Sequence, residues 1–362
     1  MADKKKIGGI PAAILIFFIG IVVLWWNEGN NVKNIKAVAE ARKNVTQVSS
    51  QMIDEAYEGK LIATNGKMDV LSDALTDDTF DVTIKTAKLV RVAEMYQWEE
   101  DENEDSDGDT TYSYSKTWSD RIINSKSFHN SEDYVNPENM PYENTEKLAE
   151  EVAVGAFRLT SQQIARLSTQ ETFTDLSDEV AQTRALRRDG NYYTTSEDLS
   201  KPEIGDIRVS FKYNNSTEVS LLGEQSGNTV IDYLTKSGKT FNVISDGRKT
   251  AEVMINEIES SNNMLKWILR FAGIFMLIIG IGGVLSPISK LTSYVPILGK
   301  VVGSAIGVFS FLLGLAIGLF VIAIAWIRFR PLLGIGLLVL VGALVFVIIK
   351  LRNKNAVENV TE

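Results

Sequence analysis

The chain has 362 residues, 45% of them hydrophobic, with 37 basic and 46 acidic side chains, no cysteine and one histidine, His129. The absence of cysteine excludes disulfides, thiolate metal sites, iron–sulfur clusters and cysteine nucleophiles, and one histidine cannot build a histidine-rich metal centre. The net charge of −9 averages two unlike parts: 12 basic against 3 acidic side chains outside residues 27–264, and 25 against 43 within them, a net −18.

In chain order, a short N-terminal segment (1–6) carrying Lys4, Lys5 and Lys6 precedes an apolar run at 7–26. Three more runs close the chain at 265–285, 301–327 and 332–349, and residues 265–357 contain no Asp or Glu. At about 1.5 Å of helical rise per residue, some 20 apolar residues cross roughly 30 Å of hydrocarbon. The expected fold class is therefore a membrane protein of four transmembrane helices, with a large α+β, β-rich domain at 27–264 between the first two. The Trp25–Trp26 pair reads as an interfacial anchor, which favours a retained first helix over a signal peptide cleaved near Ala37-Val38-Ala39.

Charge orients the runs. Lys4–Lys6 should stay in the cytoplasm, and the long 27–264 domain crosses regardless of its own charge. The second helix then returns to a loop at 286–300 (Lys290, Lys300), the third reaches a short outer turn at 328–331, and the fourth ends in a cytoplasmic tail at 350–362 (Lys350, Arg352, Lys354). Eight basic residues fall inside against two in the outer turn, so both termini are expected in the cytoplasm.

Within the domain, residues 30–56 keep a helical rhythm that would extend the first helix as a stalk. Residues 85–99 and 110–119 alternate and are rich in β-branched and aromatic side chains, predicting a hairpin with an acidic tip at 99–109. Asp105, Asp107 and Asp109 around Gly108 suggest calcium, but aligning Gly108 with the sixth position of a calcium loop puts Tyr114 where a bidentate Glu is needed. A solvated tip reads better. Gly66, Gly108 and Gly190 read as turn glycines. Residues 207–213, 218–222 and 229–235 read as a meander, Thr160 as a helix cap, and 250–262 as a helix leading into the second span.

Carboxylates in membrane spans mark proton relays, and these spans contain none. They are rich in glycine instead: Gly299, Gly303 and Gly307, then Ser310, Gly314 and Gly318, recur at spacing four. Such rows let helix backbones approach closely, within one chain or between copies. Arg328 and Arg330 are candidates for contact with lipid headgroups, or simply snorkel from a helix end. The aromatic motifs 95–98 and 112–118 read first as sheet core. His129 lies in a polar, turn-like stretch and reads as a solvated loop residue. No nucleophile–base–acid set, P-loop or dinucleotide fingerprint is present, so neither an enzymatic activity nor a cofactor is expected. An acidic domain repels phosphate backbones, which excludes nucleic acid as a partner.

Several phrases in order, Asn27-Glu28-Gly29, Glu94-Met95-Tyr96-Gln97-Trp98, Tyr112-Ser113-Tyr114 with Trp118, and Ile122-Ile123-Asn124-Ser125-Lys126, are joined by Arg187-Arg188 and 205–211 (GDIRVSF). With Thr235-Lys236-Ser237-Gly238 and Arg330-Pro331, they make the chain resemble the transmembrane protein 43 (LUMA) family nearly end to end. The resemblance implies a self-associating membrane scaffold without catalytic residues to carry over. Animal members reside in the endoplasmic reticulum and inner nuclear membrane and are connected with emerin and lamins. The cysteine-free chain, short termini and lysine-led start suggest a bacterial member in the cytoplasmic membrane, where lamina partners do not exist. The expected partners are then the lipid bilayer, further copies of the chain and other membrane proteins. The alternative function is an oligomeric channel or lipid-handling conduit.

Overall fold

The computed structural model describes residues 9–104, 110–292, 296–327, 335–336 and 339–343. The chain divides into a helical unit, Met1–Lys43 with Leu234–Lys239 and Ile255–Glu362, and a β-rich unit, Asn44–Tyr233 with Thr240–Met254. α-Helices form at α1 (Gly9–Asn44), α2 (Ser161–Arg166), α3 (Asp178–Thr183), α4 (Ala251–Thr292) and α5 (Pro296–Ile327). Residues 335–336 and 339–343 of the fourth apolar run are also helical, and the rest of that run lies outside the described residues.

Among the described residues of the helical unit, three helices are long and apolar enough to cross a membrane: Gly9–Asn44, Ala251–Pro287 and Gly303–Ile327. α1 continues for 18 residues past Trp26, a stalk that stops at Asn44 rather than reaching residue 56 as the helical rhythm suggested, and closes with Arg42 and Lys43 against the negative end of its dipole. α4 runs through Pro287 to Thr292 and α5 begins at Pro296, where a missing N–H costs nothing, so most of the 286–300 stretch is helical. The three helices pack antiparallel in sequence, with Leu24, Leu277 and Ile322 as their buried core.

The β-rich unit contains two larger sheets. In the first, Leu61–Val70 pairs antiparallel with Glu218–Ser226. The former also takes Val152–Val154, the latter Thr229–Ile231. Val152–Val154 turns into Phe157–Arg158, which meets Thr229–Ile231 in parallel, so the hydrogen-bonded path closes on itself. Closure protects strand edges that would otherwise template association. Ile62, Val154, Phe157, Val219, Leu221 and Val230 fill this core with no exposure at all. Thr160 caps α2, as its sequence suggested; the structure adds a reciprocal box with Gln163, and Ile164 is buried beneath.

In the second sheet the order is Arg187–Asp189, Tyr192–Thr194, Ile207–Tyr213, Lys88–Glu104 and Thr110–Ser119, all antiparallel. Alternation puts Leu89, Ala93 and Met95 in one core with Ile207, Val209 and Tyr193. Arg91 falls in the same inward row. Its guanidinium donates to both oxygens of buried Asp77 at 3.0 Å and to the Glu143 carbonyl at 3.0 Å, which is what a buried charge requires.

Three expectations are corrected. The meander holds only in its second half: Glu218–Ser226 and Thr229–Ile231 pair in the first sheet, but Ile207–Tyr213 belongs to the second, because alternation marks a strand without naming its partner. The hairpin forms, but its first strand continues to Glu104, since the facing strand offers Ser115, Tyr114 and Thr111 rather than opposing carboxylates. Gly66 is no turn residue. It sits inside the Leu61–Val70 strand, where a Cβ would strike the Ser50 hydroxyl. Gly190, by contrast, occupies a turn at φ +57°.

Candidate functional site in the helical unit

Arg270 lies five residues inside the second apolar run, and Glu28 lies two residues beyond the first. They meet: Arg270 Nε donates to Glu28 Oε1 at 2.5 Å and Nη2 to Oε2 at 2.9 Å. The Glu28 side chain is fully buried and that of Arg270 is 8% exposed. The indole N–H of Trp326, at the end of α5, donates to the same Glu28 oxygen. Trp267 and Trp326 also present ring faces to the guanidinium, at 4.8 and 5.2 Å. A charge this far from water persists only when paired and hydrogen-bonded, and here one carboxylate gathers donors from both other helices. The site cross-links α1, α4 and α5 at the level where the first apolar run ends.

Above it, the α1–α4 interface becomes polar. Asn27 donates to the Lys266 carbonyl at 3.0 Å and Asn34 to Asn262 Oδ1 at 3.1 Å. Below it, glycine governs the contact. A Cβ on Gly20 would lie 2.9 Å from the Gly273 carbonyl oxygen, and one on Gly273 2.6 Å from Leu24 Cγ. Gly280 and Gly283 make the same kind of approach to Phe17 and Ala13.

The α5 glycine row splits in two. Gly314 and Gly318 are packed against Ile278 and Ile274, where a Cβ would come within 2.6 and 2.8 Å, so these two serve contacts inside the chain. Gly303 and Gly307 have nothing within 4 Å among the described residues. Gly299 falls within α5, but its surroundings lie outside the described residues, as do Arg328 and Arg330.

The motif residues of the β-rich unit are structural. Met95 is buried core, whereas Tyr96 pairs with Trp118 on the opposite face of the sheet, where Arg208 lies 4.4 Å from the Trp118 ring and grips Glu94. Tyr114 stacks on Tyr134 at 3.7 Å; packing pushes its phenol pKa up, and donation to Glu100 adds to the rise. His129 is exposed and stacks on Tyr112 at 4.1 Å, the loop role expected of it. Asp246 accepts from the hydroxyls of Ser168 and Ser216 and from Asn214 Nδ2. Burial alone would raise its pKa, but these bonds together hold it below the ordinary aspartate value. No group of three or more His, Asp or Glu side chains is placed to hold a metal among the described residues, and Asp105, Asp107 and Asp109 lie outside them.

Comparison with known proteins decides the family. The transmembrane protein 43 family matches residues 95–331. The chain belongs to the transmembrane protein 43 family. It is 29% identical to the mouse and human proteins named transmembrane protein 43 over 343 residues, 90% of this chain and 85% of theirs. It is 27% identical to the Drosophila melanogaster transmembrane protein 43 homolog, covering 91% of each. No solved structure matches. The family match contains Arg270, Trp326 and the α5 glycines but begins after Glu28, the residue that ties them together.

The ion pair is not evident in the sequence, where Arg270 is one of the 12 basic residues outside 27–264. The available signal was physical: an arginine within an apolar run needs a carboxylate, and Glu28 is an acid close to a span end.

Proposed function

We propose that this protein is a non-enzymatic, self-associating scaffold of the membrane, with both termini in the cytoplasm, the β-rich domain on the far side, and the fourth apolar run as a further span. The observation that supports self-association is the division of the α5 glycines. Gly314 and Gly318 are used by Ile278 and Ile274, whereas Gly303 and Gly307 leave a flat helix face without a described neighbour. In lipid, association depends on such close approach rather than on apolarity, because acyl chains are as apolar as leucine. The locked α1–α4–α5 contact supplies a rigid body on which that face is presented. Relatives under the transmembrane protein 43 name are consistent with a membrane role and carry no enzyme designation.

The test is mass measurement of the full chain in lipid nanodiscs and in two detergents. A homo-oligomer that falls apart on Gly303→Leu with Gly307→Leu is expected. A chain that stays monomeric in every medium sinks the proposal.

A further inference from the structure

A second feature of the helical unit concerns the membrane surface. The first apolar run ends at Trp26, and α1 continues outward without interruption. One face of that continuation, together with the Leu234–Lys239 tip, encloses a pocket of about 640 Å³. Its walls carry Lys33 and Lys36 from α1, and Lys236 and Ser237 from the tip. One carboxylate, Glu40, shares the wall and accepts the backbone N–H of Lys236 at 3.0 Å. Ser237 Oγ donates to the Lys33 carbonyl at 2.9 Å, which pins the tip to the helix. Gly29 forms the end nearest the apolar run and has nothing within 4 Å of where a Cβ would stand.

Charge and height both single this pocket out. Residues 27–264 are strongly acidic, yet here three lysines line one pocket against one acidic residue. At about 1.5 Å per residue, Gly29 stands roughly 4–5 Å and Lys33 roughly 10 Å beyond Trp26. The headgroup layer occupies about the first 5–7 Å outside the hydrocarbon on each face. Lysine stems extend several ångströms and can carry their ammonium groups back toward that layer. The Gly29 end of the pocket therefore lies at the depth of phospholipid phosphates, with Lys33 and Lys36 about 10 and 15 Å beyond Trp26 and reaching back by their stems.

We propose that this pocket binds a phosphate-bearing anion, with Lys33, Lys36 and Lys236 supplying charge and the lipid headgroup as the source that its height favours. The inference needs α1 to leave the bilayer near Trp26; it does not depend on self-association. Binding here would tether the tip and stalk to the surface of the bilayer, offsetting the repulsion between an acidic domain and anionic lipid.

Native mass spectrometry of the full chain, loaded with phosphatidylglycerol or phosphatidylcholine, tests it. Wild type should retain the anionic lipid preferentially. Each of Lys33→Gln, Lys36→Gln and Lys236→Gln should weaken retention about fivefold, and the triple variant about a hundredfold. Gly29→Leu keeps every charge and suits a helix, yet should weaken retention by filling the cavity. Lys212→Gln, on the β-rich domain, is the charge-matched control and should change nothing. A parallel titration with inorganic phosphate, read by thermal shift, separates the sources. Phosphate stabilisation lost in the triple variant, without lipid preference, keeps the anion site and assigns it a soluble ligand. Equal lipid retention by wild type and triple variant with no phosphate response, or an equal effect of Lys212→Gln, overturns the proposal.

Discussion

Arg270 holds both carboxylate oxygens of Glu28, at 2.5 and 2.9 Å, with the two side chains almost entirely removed from solvent. Removing one partner strands the other charge, at a cost of about 3–5 kcal/mol, whereas replacing both with apolar groups comes close to neutral. Arg270→Leu and Glu28→Leu should each lower the unfolding midpoint in detergent strongly, and the double variant should recover most of the loss. Equal, additive losses would show that the pair is not coupled.

The glycines predict a contrast along one chain. Gly20→Ala places a methyl 2.9 Å from the Gly273 carbonyl oxygen, a backbone atom that cannot swing aside. It should destabilise the helical unit by about 1–3 kcal/mol, the usual cost of overpacking. Gly307→Ala meets no described atom of its own chain, so the unfolding midpoint of the monomer in detergent should be no lower than in wild type.

Asp246 sets a pH dependence. Its folded-state pKa lies below the ordinary value, so its contribution to stability is complete above about pH 4 and is lost as pH falls through the folded pKa. Thermal midpoints should therefore drop below pH 4 in the wild type. Asp246→Asn should start lower at neutral pH and show a shallower acid slope; unchanged slopes would remove Asp246 from the account.

Asn136 stands in for a strand. Beyond the end of Ile207–Tyr213, its side chain accepts the Trp98 N–H at 2.7 Å and donates to the Trp98 carbonyl at 2.8 Å, as a neighbouring peptide would. Asn136→Ala leaves both groups unpaired and should cost about 1–3 kcal/mol. Hydrogen exchange at the Trp98 amide should accelerate; unaltered protection would contradict this role.

Some of this was legible from local pattern. Apolar length marked the three described helices long enough to cross a membrane, and the capping residue Thr160 announced α2, because both signals depend only on neighbours along the chain. Strand identity was likewise readable at 207–213 and 218–222, but sheet membership was not, since period-two alternation is the same whichever strand supplies the partner.

Sequence alone determined that this chain enters a membrane, that its charge is segregated between spans and domain, and, through its phrases, which family it belongs to. Hydropathy and charge are additive along a chain and need no partner to be counted. Tertiary structure decided what Arg270 pairs with, which α5 glycines are consumed by Ile278 and Ile274, and that the distant Lys236 shares a pocket wall with the α1 neighbours Lys33 and Lys36. Each of those facts is a relation between elements, fixed only when the helices are brought to within a side chain's length of one another.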